Sequence, residues 1–79
     1  MTSAHELAHF EEVVGNFKNY RAEETRVVVT FEEGEISIPL SGFRMLNSAR
    51  LKSGDHVSMF RTDNDEDPIR VRRFKILNR

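Results

Sequence analysis

The stretch GEISIPLSGFRMLNSARLKSGDHV, residues Gly34–Val57, decides the fold of this chain. Apolar and polar residues alternate from Glu35 to Leu40, which predicts a strand, and Pro39 limits the end of that strand to an edge or a bulge. Further along, Gly54-Asp55 predicts a turn, because Gly adopts positive φ without steric cost and the Asp side chain can cap its own turn. Val57 then begins a new alternating run, so the stretch predicts two strands and the connection between them.

Alternating runs outside this stretch predict the other strands. The clearest run is rich in β-branched residues, which favour strands, and it places Val27, Val29 and Phe31 on one face. A Glu-Glu-Gly sequence predicts the hairpin turn that follows it. In the later run over residues 56–62, Val57 and Met59 should face inward. Together with residues 35–40, the predicted strands cover residues 16–20, 26–31, 56–62 and 69–77.

Residues 43–52 form the internal stretch that predicts a short helix, with Met45 and Ala49 facing inward and Leu46 as a further candidate. Five strands with a short helix between the third and the fourth follow the order of an OB-fold, a partly open Greek-key barrel. We therefore expect an all-β protein with a five-stranded OB-fold barrel.

Residues 2–14, TSAHELAHFEEVV, predict an added N-terminal helix. A capping-box sequence stands at its start, and Leu7, Phe10 and Val14 would share one helical face. The expected organisation is an N-terminal helical extension over residues 1–14 and an OB-fold domain over residues 15–79.

The predicted helix contains His5-Glu6-Leu7-Ala8-His9, which matches the H-E-x-x-H pattern of zinc proteases. That chemistry needs a third protein ligand and a substrate cleft, and His56 is the one further histidine of this small chain. We therefore expect a solvated amphipathic helix and no metal site.

The acidic run at residues 63–67 lacks the Gly and the distal Glu of an EF-hand, so it predicts a hairpin tip. Since no other set of catalytic residues is evident, we expect no enzyme activity and no cofactor.

Composition narrows the class of protein. The chain has 79 residues, 38% hydrophobic and 32% charged, which is ordinary for one globular domain. It has no cysteine, which excludes disulfides and thiolate metal clusters. No apolar run approaches the roughly 18 residues of a transmembrane helix, and no signal-peptide pattern is present, so we expect a cytoplasmic protein that does not contact a membrane.

Charge is distributed unevenly along the chain. Residues 1–40 carry three basic and eight acidic side chains, a net charge of −5, whereas residues 41–79 carry nine basic and five acidic side chains, a net charge of +4. Folding can therefore create one basic and one acidic face although the total charge is −1. A basic face is what attraction of nucleic acid requires, and the acidic half is a possible surface for another protein.

The spacing from Ser41-Gly42 to Gly54-Asp55, with Met45, Asn47 and Arg50 between them, resembles bacterial translation initiation factor one. The resemblance extends from about Gly15 to Lys75. That family is an OB-fold that binds the decoding region of the small ribosomal subunit, and its loop around the Ser-Gly motif and its strand arginines contact ribosomal RNA. The resemblance therefore implies RNA, in particular ribosomal RNA of the small subunit, as the partner.

Arg50 and Arg72 stand at positions that match arginines of the family. The family's Lys after Ser-Gly is replaced by Phe43 in this chain, and its Arg is displaced by one residue, to Arg44. OB-folds bind strands by stacking bases on aromatic rings and by pairing phosphates with Arg or Lys. Phe60 is expected on an exposed face with Arg61, or else covering a barrel end. The expected RNA-binding residues of this monomer are the following: Phe43, Arg44, Arg50, Lys52, Phe60, Arg61, Arg70, Arg72 and Lys75.

Two other functions remain open. The run Gly34–Pro39, followed by Arg44, Leu46 and Leu51–Val57, also resembles the AbrB-type DNA-binding hairpin, whose family forms intertwined dimers. The mass in solution separates that reading from a monomeric barrel. The other alternative is a protein-interaction β-barrel that works through its acidic half.

Overall fold

The computed structural model describes residues 4–74. The chain folds into one mixed six-stranded sheet with a single short helix in the described residues. The strands are β1 (His5–Glu6), β2 (Glu12–Ala22), β3 (Arg26–Phe31), β4 (Gly34–Pro39), β5 (His56–Arg61) and β6 (Ile69–Phe74). A turn of 3-10 helix at Leu40–Gly42 leads into the helix α1 (Phe43–Ala49).

The strands are hydrogen-bonded in the order β1-β4-β3-β2-β5-β6. Strand β1 is parallel to β4, and all the other neighbours are antiparallel. Within residues 4–74, β1 and β6 lie at the two edges, so the sheet is not closed. The predicted β-rich fold is confirmed, and so is the short helix between the third and fourth long strands.

Strand β2 belongs to both halves of the sheet. Its first half, Glu12–Asn16, pairs with β5, and its second half, Phe17–Ala22, pairs with β3. The register shifts between Phe17 and Asn19, which marks a bulge or irregularity where the strand passes from one partner to the other. Strand β2 thereby joins the β3–β4 hairpin to the β5–β6 hairpin.

The Gly54-Asp55 turn forms as predicted and is bound to β2. Gly54 has φ +97°, a conformation that favours glycine, and Asp55 accepts a hydrogen bond from the Lys52 N–H at 2.8 Å. The Gly54 N–H donates to the Phe17 carbonyl at 2.7 Å, and the Phe17 N–H donates to the Asp55 carbonyl at 2.8 Å. These bonds place the start of β5 next to β2.

The core lies between the sheet and α1, and it uses the predicted strand faces. The predicted inward residues of β3 and β5, and the alternating apolar residues of β4, are buried: Val27, Val29, Phe31, Ile36, Ile38, Val57 and Met59. In α1, Leu46 is fully buried and Met45 packs against the core with part of its surface exposed. Leu40 is 42% exposed, because β4 ends at Pro39 and Leu40 starts the 3-10 turn. Nowhere in residues 4–74 is a helix long and apolar enough to cross a membrane.

The predicted N-terminal helix is wrong over the described residues. His5–Glu6 pairs with β4, the Leu7 N–H donates to the Ser37 carbonyl at 3.0 Å, and β2 begins at Glu12. Leu7 is buried in the core, whereas Phe10 and Val14, which would share its helical face, are 61% and 49% exposed. The pairing partner that β4 offers outweighs the local helical pattern, which cannot include long-range contacts.

Gly15 lies in β2 close to the side chains of Glu33 and Phe31. A Cβ atom there would stand 2.5 Å from Glu33 Oε1 and 3.1 Å from Phe31 Cδ2. The Glu33 carboxylate at this point accepts a hydrogen bond from the Asn16 N–H at 3.1 Å. An added methyl group would displace the exposed Glu33 carboxylate from this hydrogen bond and press on the buried Phe31 ring. The Gly15→Ala variant should therefore lose about 1 kcal/mol of unfolding free energy, measured by denaturant titration.

The matched control places Gly15→Ala in a Glu33→Ala background. There the closest contact is gone, so the penalty should shrink although the Phe31 contact remains. An equal penalty in both backgrounds would contradict this account of the β2 crossing.

Candidate nucleic-acid interface

The register of β2, β5 and β6 places nine residues on one face of the sheet. Directly opposed residues of antiparallel strands share a face, and Val57 and Met59 are buried towards the core. The alternate residues therefore point away from the core. We call this surface the β5–β6 outer face; it comprises Glu12, Val14, Asn16, His56, Ser58, Phe60, Arg70, Arg72 and Phe74. Ser58, in the middle of the face, is itself buried, with 2% of its surface exposed.

Two arginines and two phenylalanines dominate the β5–β6 outer face. Arg70 is opposite Phe60, and both Arg70 and Arg72 are exposed. Neither arginine forms an ion pair with any residue of 4–74. The Arg72 guanidinium carbon lies 5.9 Å from the centre of the Phe74 ring, which is 40% exposed. Within residues 4–74, the face thus combines two arginines that form no ion pair, one exposed ring, Phe74, and one half-buried ring, Phe60, and Glu12 is the one acidic residue among its nine members.

Phe43 and Arg44 lie apart from this face, at the start of α1. The Phe43 ring meets Tyr20 edge-on, with 5.7 Å between the ring centres. Phe43 and Arg44 line an open groove of about 580 Å³ that Leu40 and the acidic residues 65–66 complete. The Ser41 hydroxyl donates to the Asp65 carbonyl at 3.1 Å, which holds the acidic run beside the groove. The negative charge next to Arg44 disfavours a phosphate at this position.

Arg50 and Lys52 form a third group, around the Gly54-Asp55 turn. Both side chains are exposed. Arg73 donates to the Arg50 carbonyl at 3.1 Å and pairs with Asp55 at 3.6 Å. Arg73 is opposite the buried Val57, so it lies on the other face of β6 from Arg72. The predicted RNA-binding residues therefore do not form one continuous cluster.

Arg61 does not share a face with Phe60, and that part of the prediction is wrong. Successive residues of a strand alternate in direction, and Arg61 is opposite the buried Ile69. Its guanidinium donates to the Thr62 carbonyl. Phe60 lies on the same face as Arg70 instead, and Arg72, two residues further along β6, shares that face. Lys75 lies outside the described residues.

Two arginines on β2 and β3 provide a contrast because their charges are paired. Arg21 contacts Glu23 at 3.2 Å and Glu35 at 3.6 Å, and Arg26 contacts Glu23 at 2.9 Å. The hydrogen bond from Arg26, together with the weaker effect of Arg21, holds the pKa of Glu23 below its ordinary value. These arginines have less positive charge to offer a phosphate than Arg70 and Arg72.

Sequence reasoning missed Phe74 and Phe10 as candidate site residues. The alternation Arg70-x-Arg72-x-Phe74 carried the signal for Phe74, since residues two apart in a strand share a face. Phe10 gave no such signal, because its position depends on a turn in a segment that looks helical. Its ring lies 6.3 Å from the Phe60 ring, measured between centres.

A four-residue turn, Ala8–Glu11, joins β1 to β2. The Glu11 N–H donates to the Ala8 carbonyl at 2.9 Å, and the Ala8 N–H donates to the Glu11 carboxylate at 2.8 Å. The same carboxylate contacts His5 Nε2 at 2.8 Å. His5 and His9 therefore do not have the helical arrangement of a zinc protease. Among the described residues, no group of three or more His, Cys, Asp or Glu side chains has a metal-binding arrangement.

No protein-family model, curated protein or solved structure matches this chain. The observations that bear on its function come from the β5–β6 outer face. They are two arginines that form no ion pair within residues 4–74, the exposed Phe74 ring and the half-buried Phe60 ring.

The Ala8–Glu11 turn should respond to pH. The pKa of Glu11 lies below its ordinary value of 4.5, because the Ala8 N–H and then His5 hydrogen-bond to the carboxylate. A lowered folded-state pKa means that the ionised group stabilises the turn above pH 4.5 and that this stabilisation is lost as pH falls through the lowered pKa.

The Ala8 amide resonance, followed by NMR from about pH 6 to about pH 2, should titrate with a midpoint below that of a free glutamate. The Glu11→Gln variant should show no such titration. A midpoint at the ordinary value would contradict the carboxylate contacts described for this turn.

Proposed function

We propose that this chain is a non-enzymatic RNA-binding OB domain that resembles translation initiation factor one and acts on the small ribosomal subunit in the cytoplasm. The observation that carries the proposal is the β5–β6 outer face, where Arg70 and Arg72 have no ion-pair partner within residues 4–74 and lie beside Phe60 and Phe74. Basic side chains that follow a nucleic-acid backbone, with aromatic rings on which bases stack, are the means by which OB-folds bind single strands.

The strand order supports an OB-fold. Counted from β2, the five long strands pair in the order third-second-first-fourth-fifth, and the helix lies between the third and the fourth. This arrangement agrees with a partly open barrel in which the first strand serves both halves. For the sheet to close into a barrel, the third and fifth long strands, β4 and β6, would have to approach each other.

The arrangement of charge supports phosphate binding along β6. Arg70 and Arg72 are two residues apart, which is about 7 Å along a strand, and they point to the same side. The chain's total charge of −1 gives little long-range attraction, so binding depends on this local face. Binding should therefore weaken as salt is added.

The test measures affinity for a single-stranded RNA at several salt concentrations. The double variant Arg70→Ala/Arg72→Ala should weaken binding and reduce the log–log salt slope by about 1.4, since each lost phosphate contact on a single strand removes about 0.7.

The matched control is Arg21→Ala/Arg26→Ala, which removes the same charge from arginines that already pair with glutamates. This control should leave the slope nearly unchanged. If both double variants reduced the slope equally, total charge rather than the β5–β6 outer face would govern binding. Absence of binding at low salt would contradict the RNA-binding proposal.

Competition with an authentic initiation factor one on purified small ribosomal subunits tests the more specific role. Displacement supports the ribosomal site, whereas RNA binding without displacement indicates a different RNA.

A monomeric mass is expected, because each long strand pairs within the one chain. A dimer that binds DNA would favour the AbrB-type alternative. A chain that binds no nucleic acid would favour a protein-interaction barrel that works through its acidic half, residues 1–40.

A further inference from the structure

Phe10 occupies a backbone conformation that a phenylalanine rarely adopts. It is the third residue of the Ala8–Glu11 turn and has φ +67°. Positive φ at this position of a turn normally belongs to Gly or Asn, because a Cβ atom clashes with the backbone. Two hydrogen bonds hold the conformation: the Phe10 N–H donates to the Arg61 carbonyl at 2.6 Å, and the Arg61 N–H donates to the Glu11 carbonyl at 2.9 Å.

Core packing does not account for the strain at Phe10. The side chain is 61% exposed, whereas Leu7 of the same segment is 3% exposed and belongs to the core. Its neighbouring rings are Phe60, at 6.3 Å between centres, and His9, at 6.2 Å. A glycine would form the same turn with less strain, so the ring itself is the feature that needs a reason. Strain of this kind concentrates at functional sites.

The position of Phe10 extends the aromatic part of the β5–β6 outer face. Phe60 is opposite Arg70 on one side and opposite Glu12 on the other. The positive charge of this face therefore lies on β6, and its one acidic residue lies on β2. A nucleic-acid backbone is favoured along β6, and its bases then project towards Phe60 and Phe10.

We infer that Phe10 and Phe60 together form a stacking site for an unpaired nucleobase, an inference that rests on the RNA binding proposed above. An exposed ring offers its face to a base that is not already stacked within a duplex. The ligand class is accordingly single-stranded RNA, with phosphates at Arg70 and Arg72 and one base at the Phe10 ring. Double-stranded RNA does not fit, since its bases are enclosed.

The test is the Phe10→Gly variant, because strain and stacking predict opposite effects. Removing the strained side chain should raise the Tm. Removing the ring should lower affinity for a short single-stranded oligoadenylate by about 5- to 100-fold, with the salt slope unchanged. The Phe10→Trp variant keeps a stacking ring and should retain the affinity. Leu40→Ala, which shortens an exposed apolar side chain elsewhere, should leave affinity unchanged.

The same oligoadenylate annealed to its complement should bind more weakly and should not distinguish wild type from Phe10→Gly. A lower Tm for Phe10→Gly would show that the ring stabilises the fold, which overturns the argument from strain. Unchanged affinity for Phe10→Gly, together with a reduced salt slope for Arg70→Ala/Arg72→Ala, would overturn the stacking site and leave the proposed RNA binding intact. Absence of RNA binding by the wild type would overturn both.

Discussion

Strand β2 pairs with β5 along its first half and with β3 along its second half, and the other elements depend on this double pairing. Without it the β5–β6 pair would be an isolated hairpin, which is marginally stable in water. Two hydrogen bonds between Phe17 and the Gly54-Asp55 turn, one donated by Phe17 and one accepted by it, set where β5 begins. The register between β5 and β6 then decides which residues of β6 face outward. The positions of Arg70 and Arg72 on one exposed face are thus consequences of how β2 is shared.

Local patterns were sufficient to predict most of the sheet. Val27, Val29 and Phe31 are buried as their alternation predicts, since β-branched and aromatic residues suit a strand that packs on a core. Val28, on the other face of β3, is buried as well, which the alternation does not predict. The Gly54-Asp55 turn was equally predictable, since it depends on the positive φ of Gly54 and on the hydrogen bond from the nearby Lys52 N–H to the Asp55 side chain. The structure of the N-terminal segment was not predictable in this way. Its sequence has a capping box and helical spacing, but the segment instead pairs with a strand 30 residues away, where the Leu7 N–H donates to the Ser37 carbonyl. No local pattern contains that partner.

The candidate site was predictable only in part, for a related reason. The second half of the chain is rich in basic residues, but charge on a sequence does not show which side chains are neutralised by neighbours. Arg21 pairs with Glu35 across the sheet, and Arg73 pairs with Asp55, whereas Arg72, one residue away, faces outward beside Phe74. These differences depend on strand register, which follows from the turn and the bulge rather than from composition.

The central claim is that RNA binds the β5–β6 outer face, and NMR chemical-shift mapping tests it most directly. Titration of the labelled protein with single-stranded RNA should shift the amide resonances of Ser58, Arg70 and Arg72. The resonances of Thr30 and Glu35, on the β3–β4 pair, should change little. Shifts concentrated on β3–β4, or around Phe43 and the acidic residues 65–66, would contradict this location of the interface.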